Sequence, residues 1–189
     1  MALDKIILKI SLQSVFESPP DSAEDCATGI TDAIVAYLKG VEISYPPAPG
    51  LQPAAPTPIP DPTFGADTKS VPVVPADAQH GAIYGGILGS IAAAGIVWAP
   101  ADAAYMAAIL AIGAAWQSND GYMSTGATTP AGLVDFGASW QIGLDGGSEA
   151  DVAADLADRI HSNTISAKFT GQYVKGLFLG PGPHSSNLR

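Results

Sequence analysis

A chain of 189 residues carries a net charge of −10 with only eight Lys and Arg. These are too few and too scattered to line a phosphate backbone, which excludes nucleic acid as a partner. Charged residues make up 14% of the chain, well below the usual quarter, and partner proteins are the simplest cover for so much uncharged surface.

In chain order, "DKIILKISLQSVF" places Ile6, Ile7, Ile10, Ser14 and Val15 near helical spacing behind an N-cap at Asp4. Asp4 and Lys9 interrupt its apolar run and no small-residue cleavage site follows, so it reads as a helix and not a cleaved leader. "SPPD" at 18–21 ends it. Ser22 then caps a second helix, with Asp25 in the capping-box position, a face of Cys26, Ile30, Ala33, Ile34, Tyr37 and Leu38, and Gly40 as its stop. Cys26 is the only cysteine, so no internal disulfide forms, and its helical setting reads as burial of a small hydrophobe. "VEISY" at 41–45 reads as a short strand.

Residues 46–75 are dominated by proline and show no apolar period. An extended, polyproline-like strap is expected there. The next stretch, "GAIYGGILGSIAAAGIVWAPADAAYMAAILAIGAAW" at 81–116, holds one charged residue, Asp102. Ile83, Ile87 and Ile91 recur every fourth residue, and Pro100 opens a further helix expected to run to Trp116, with Ala104, Tyr105, Ala108, Ile109 and Ile112 on its face. Gly85 and Gly89 form a G-x-x-x-G pair, which predicts another backbone passing close by. Trp98 and Trp116 would plug the two ends of this hairpin. Gly85, Gly89, Trp98, Tyr105, Ile109, Ile112 and Trp116 are thus the candidate assembly contacts.

Residues 117–147 are turn-rich, and "AGLVDFGASWQIGL" at 131–144 is compatible with a strand or a short helix. "SEADVAADLADRIHSN" is a helix capped by Ser148 and Asp151, with Val152, Ala153, Leu156, Ala157 and Ile160 inward. "TISAKFTGQYVKGLFL" reads as β-rich and "GPGPHSSNLR" as irregular. "SAEDCATGITDAI" (22–34) aligns with "SEADVAADLADRI" (148–160), Ser on Ser and Ile on Ile, as expected of a duplication or of two helices with similar docking roles.

The fold class expected is α+β, mainly helical: amphipathic helices around a small core, a Pro-rich strap and short β segments. Three regions follow: a helical pair and strand at 1–45, the strap at 46–80, and an Ala/Gly-rich helical and α+β region at 81–189. No chemistry-bearing motif is found. His80, His161 and His184 have no metal-ligand spacing, "GASWQ" lacks the second glycine of a nucleophile elbow, and "YGGILGS" lacks the P-loop lysine. Asp151, Asp155 and Asp158 lie along one helix face, read as solvated or meeting a basic partner. No cofactor, metal or small-molecule substrate is expected, and no enzyme. The 19 uncharged residues at 81–99 reach a membrane-spanning length, but Gly and Ala dominate and no basic flank exists. A membrane-active hairpin at 81–116 is the alternative class.

The paired N-terminal helices of "LQSVFESPPDSAEDCATGITDAIVAYLKGVEI", the Pro/Gly-rich connector and the ending "GPGPHSSN" together resemble small structural proteins of tailed-bacteriophage virions. The second helix matches the pattern A-x-x-I-x-x-A-I-x-x-Y through Ala27, Ile30, Ala33, Ile34 and Tyr37. The resemblance implies a non-enzymatic virion protein of a head–tail connector, tail or baseplate. Its partners would be copies of itself and other virion structural proteins. A capsid decoration protein is the alternative within the virion.

Overall fold

The computed structural model describes residues 3–18, 20–45, 50–52, 59–61, 69–72, 79–93, 97–112, 115–117, 122–175 and 183–188. It is mainly helical α+β. Six helices occur among the described residues: α1 (Lys5–Glu17), α2 (Ala23–Leu38), α3 (His80–Ala92), α4 (Ala99–Ala111), α5 (Phe136–Leu144) and α6 (Glu149–Ser166). Strands β1 (Glu42–Tyr45) and β4 (Lys69–Pro72) pair antiparallel, as do β2 (Gly50–Gln52) and β3 (Ile59–Asp61). A four-stranded antiparallel sheet runs in the order β5 (Ala115–Gln117), β6 (Tyr122–Thr129), β7 (Lys168–Lys175), β8 (Pro183–Asn187). Most of the expected Pro-rich strap lies outside the described residues.

Local chemistry sets the helix starts. Asp4 accepts from the N–H groups of Ile6 (2.9 Å) and Ile7 (3.2 Å), satisfying two donors that a first helical turn leaves open. Ser22 Oγ accepts from Asp25 N. At α6, Ser148 and Asp151 form a reciprocal capping box. α5 is capped by Asp135, which adopts the left-handed conformation (φ 65°); Asp tolerates it better than most residues. It ends in a Schellman turn. Gly146 takes φ 90°, Gly146 N–H donates to Gly143 O, and Gly147 N–H donates to Ile142 O.

The buried side chains of all six helices form one core with Ala167, Phe169 and Leu188 from the sheet end of the chain. α1 lies between α2 and α6 and packs on both. Gly29 permits the first contact, since a Cβ there would stand 2.8 Å from Val15 Cγ2. α3 and α4 form a hairpin joined by Ser90. Its hydroxyl donates to Gly86 O at 2.9 Å and accepts the N–H of Ala101 at 3.3 Å. The first turn of α4 has no side-chain cap of its own, so α3 supplies an acceptor. Thr128 ties the sheet to the end of α4 by donating to Ile112 O.

Four expectations are corrected. The second hairpin helix stops at Ala111, because Ile112 turns to an extended conformation (ψ 121°) and its carbonyl goes to Thr128. Trp116 lies in β5, opposite Ser124. Residues 183–187, expected to be irregular, form β8 because β7 offers a paired edge. On α1 the buried residues are Leu8 and Leu12, while Ile6, Ile7 and Ile10 face outward.

Candidate assembly interface

The predicted contact residues divide between the interior and the surface. Tyr105, Ile109 and Ile112 are buried in the chain's own core. Trp98 is also buried and stacks on Phe136, with ring planes 9° apart, beside Trp140. Gly137 of α5 allows this, since a Cβ there would meet Trp98 Cδ1 at 3.3 Å. These four therefore join elements within one chain. Trp116 is placed only by its strand register.

Gly85 and Gly89 are exposed. A Cβ on Gly85 would meet nothing within 4 Å, and one on Gly89 would reach only Pro100 Cβ at 4.0 Å. The close backbone approach exists but falls on Gly86, where a Cβ would stand 2.6 Å from Pro100 O and from Ala104 Cβ. The G-x-x-x-G spacing selects two residues on the outer side of α3. The inward row is Ile83, Gly86, Ile87 and Ser90.

Apart from Asn163 Oδ1, which is buried without a hydrogen-bond partner among the described residues, the polar side chains of the core are spent on structure. Asp102, a buried carboxylate, accepts the N–H of Asp135 at 2.7 Å and so holds down the loop at 130–135. Burial pushes its pKa up, Asp135 adds to this, and backbone N–H groups of 134–136 pull the other way. Asn163 holds the same loop by donating to Gly132 O at 2.7 Å. Asp155 accepts from Ser139 (2.7 Å) and from Arg159 Nε (2.6 Å), and Arg159 also reaches Asp135 at 3.4 Å. Burial acts to raise the Asp155 pKa, but these Ser139 and Arg159 contacts outweigh it and hold the carboxyl low. Asp158 pairs with Lys5 of α1 at 2.8 Å. The expected acidic face of α6 is thus divided. Asp151 caps its own helix, Asp155 serves α5, and Asp158 meets a basic residue of the same chain.

A second chain of polar groups crosses α2, α4 and α6. Tyr105 O–H donates to Thr164 Oγ1, and Thr164 donates to Ile160 O at 2.7 Å. Tyr37 O–H lies 2.8 Å from His161 Nδ1. Burial raises both tyrosine pKa values, so the hydroxyls stay protonated, and the imidazole tautomer sets which way the Tyr37–His161 bond runs. Burial lowers the His161 pKa, Lys5 lowers it further, and Asp158 opposes them. Cys26 is half-buried, and burial raises its thiol pKa, which removes thiolate character. No group of three His, Cys, Asp or Glu gathers as around a metal ion among the described residues. Nor is any helix among them long and apolar enough to cross a membrane.

The surface also carries large apolar side chains. Ile6, Ile7 and Ile10 are 66%, 57% and 60% exposed, three large hydrophobics within two turns of α1. The other large exposed ones among the described residues, such as Val97, Leu110 and Leu133, are dispersed along the chain. Ile7 also forms one wall of a 190 Å³ groove between α1 and α2, with Ala33, Ala36 and Tyr37 opposite and Asp4 and Lys39 also lining it. At the other end of α1 a 320 Å³ groove is lined by Val15, Phe16, Cys26, Trp140, Leu144 and Val152, among others. Cys26 and Val152 are equivalent in the alignment of the two capped helices, and so are the buried pairs Ala27/Ala153, Ile30/Leu156, Thr31/Ala157 and Ile34/Ile160. α2 and α6 thus present matching faces to the core on either side of α1.

Sequence reasoning placed the α1 isoleucines on a helix but not on its outside. The available signal was surplus. α1 carries Ile6, Ile7, Leu8, Ile10, Leu12, Val15 and Phe16, more than a single apolar stripe holds. The chain matches no known protein family, no curated protein and no solved structure.

Proposed function

We propose that this chain is a non-enzymatic structural protein that works by protein–protein assembly, and that the assembly is the virion of a tailed bacteriophage, at its head–tail connector, tail or baseplate. The observation that carries the assembly reading is the exposed isoleucine row of α1. A contiguous apolar patch on a short, sparsely charged chain is costly to leave in water and is the usual mark of a contact surface. The polar networks of the core are consistent with this reading. Each buried carboxylate and hydroxyl described above serves a loop, a cap or a helix pair.

The virion setting is supported by the resemblance of the N-terminal helices and the Pro-rich connector to phage structural proteins. The five residues of that pattern, Ala27, Ile30, Ala33, Ile34 and Tyr37, are all buried. They belong to the core that holds α1 in place and not to the contact itself.

The test is to locate the chain in a reconstruction of the particle. Density for it in an axial ring at the neck, tail or baseplate is the expected result. A lattice over the capsid faces would make it a decoration protein, and absence from particles would remove the virion role. Turnover of a substrate in a broad activity screen would overturn the non-enzymatic reading.

A further inference from the structure

We infer that the groove at the C-terminal end of α1 receives a basic, amphipathic segment of another protein. Apolar side chains of that segment fill the groove, and its Lys or Arg residues meet an acidic rim. The inference rests on the assembly reading above and names the chemistry of one partner.

The floor of the site is apolar and already formed. Its 320 Å³ lie between the last turn of α1, the first turn of α2, the end of α5 and the first turn of α6. Val15, Phe16, Trp140 and Val152 line it. Trp140 packs on Trp98, with ring centroids 5.1 Å apart, and Trp98 stacks on Phe136, so this wall is braced from the core. Leu144, 67% exposed, extends the apolar surface outward. A side chain entering here meets aromatic and aliphatic walls that stand in place before it arrives.

The charge around the floor has one sign. Every lining residue falls in 10–38 or 70–158, and neither stretch contains a Lys or Arg. Glu149 lines the groove itself, and Glu17, Asp21, Asp25, Asp145 and Asp151 each adjoin a lining residue in sequence. Asp25 and Asp151 are tied to the caps of α2 and α6, and Lys9 acts on Asp151. Glu17, Asp21, Asp145 and Glu149 are exposed and meet no basic group among the described residues.

Like charges gathered around an apolar floor repel one another until a cation arrives. The same rim turns away anionic phospholipid, nucleic acid and most of a second copy of this chain, whose net charge is −10. A basic segment with apolar anchors satisfies both halves of the site, in the manner of an amphipathic helix laid in a groove.

The probe is a synthetic peptide with leucine on one helical face and lysine on the other. It is titrated into the full chain and followed by tryptophan fluorescence, with Trp140 as the reporter. The expected result is a Kd on the order of 10 µM at low salt, weakening as salt rises. Glutamate in place of lysine, or serine in place of leucine, should abolish binding. Glu17→Lys plus Asp145→Lys should weaken the lysine peptide about tenfold. Both changes sit at helix C-termini, where a lysine suits the helix dipole, so the circular-dichroism spectrum should not change. Leu133→Ser, on an exposed hydrophobic of the loop at 130–135, is the control and should bind as the native chain does.

A second measurement needs no variant. Cys26, the sole cysteine, lines the groove, so bound peptide should slow its alkylation in proportion to occupancy. No binding by the native chain, equal binding of the glutamate or serine peptide, equal affinity in the reversed-charge variant, or an unprotected Cys26 overturns the proposal. A two-copy mass for the native chain that the reversed-charge variant loses overturns the separate partner and leaves the assembly reading standing. The particle reconstruction tests that reading on its own, so the two can fail apart.

Discussion

Gly86 and Pro100 meet backbone to backbone: a Cβ on Gly86 would stand 2.6 Å from the Pro100 carbonyl oxygen. Helices α3 and α4 therefore touch with only the Ala104 methyl group between them at this level. Gly86→Ala forces them apart and should destabilise the fold by about 1–3 kcal/mol. Gly89→Ala, three residues on and exposed, should instead stabilise by up to about 1 kcal/mol through helix propensity. Urea denaturation of the two variants measures both, and a raised midpoint for Gly86→Ala would contradict the close approach.

Asp102 and Asp135 give the second test. The Asp102 carboxylate accepts the Asp135 N–H from within the core, so Asp102→Ala strands a buried donor and should cost about 2–3 kcal/mol. Its pKa is raised in the fold, so the ionised form is disfavoured there. The stability from this group is full below its ordinary value of 3.8 and is lost as pH rises through the folded value. Asp102→Asn should thus be milder than Asp102→Ala. Amide exchange at Asp135 should accelerate in both.

His161 titrates in the opposite sense. Its folded pKa lies below the ordinary 6.5, so the unfolded chain takes up a proton first as pH falls. Stability should be level above about pH 7 and decline as pH drops from 6.5 toward the folded value. Once protonated, the imidazole can only donate, so the Tyr37–His161 bond then runs from Nδ1–H to the Tyr37 oxygen. Thermal melts between pH 7.5 and 5 should show the decline. His161→Gln should flatten it, and a native profile with no slope there would refute the assignment.

The caps can be ranked. Ser148 takes part in a reciprocal box with Asp151, and Ser148→Ala should cost about 1 kcal/mol. Adding Asp151→Ala to it should cost less than the sum of the single changes, since both break one motif. A double-mutant cycle by chemical denaturation reads the coupling directly.

Features set by a few neighbouring residues were legible in the sequence. Asp4, Ser22 and Ser148 cap where they were expected to, because a cap depends on its own turn alone. The inward faces of α2 and α6 also follow from their period. Three things were not legible, and each is decided across the chain. α4 ends at Ala111 although the apolar period continues to Trp116, because Thr128 captures the Ile112 carbonyl. The close glycine is Gly86 and not Gly85 or Gly89, because α4 lies on the side of α3 that carries Ile83, Ile87 and Ser90. α1 has apolar residues on every side, so periodicity cannot say which of them face α2 and α6. The contact residues drawn from 81–116 were therefore mostly core, and the exposed row sat at the other end of the chain.

The position of α1 between α2 and α6 also sets a clock. Lys5 leaves the ribosome roughly 150 residues before its partner Asp158, an interval of about 8–30 s at ordinary elongation rates. Through that interval α1 has α2 to lie on but lacks its other flank, so part of Leu8, Leu12, Val15 and Phe16 stays wet alongside the three outer isoleucines. A nascent chain in this state is greasy on two sides of its first helix and is a natural client for a holding chaperone. Chains cut short before residue 148 should accumulate as aggregates, whereas the full chain seals the inner side when α6 docks.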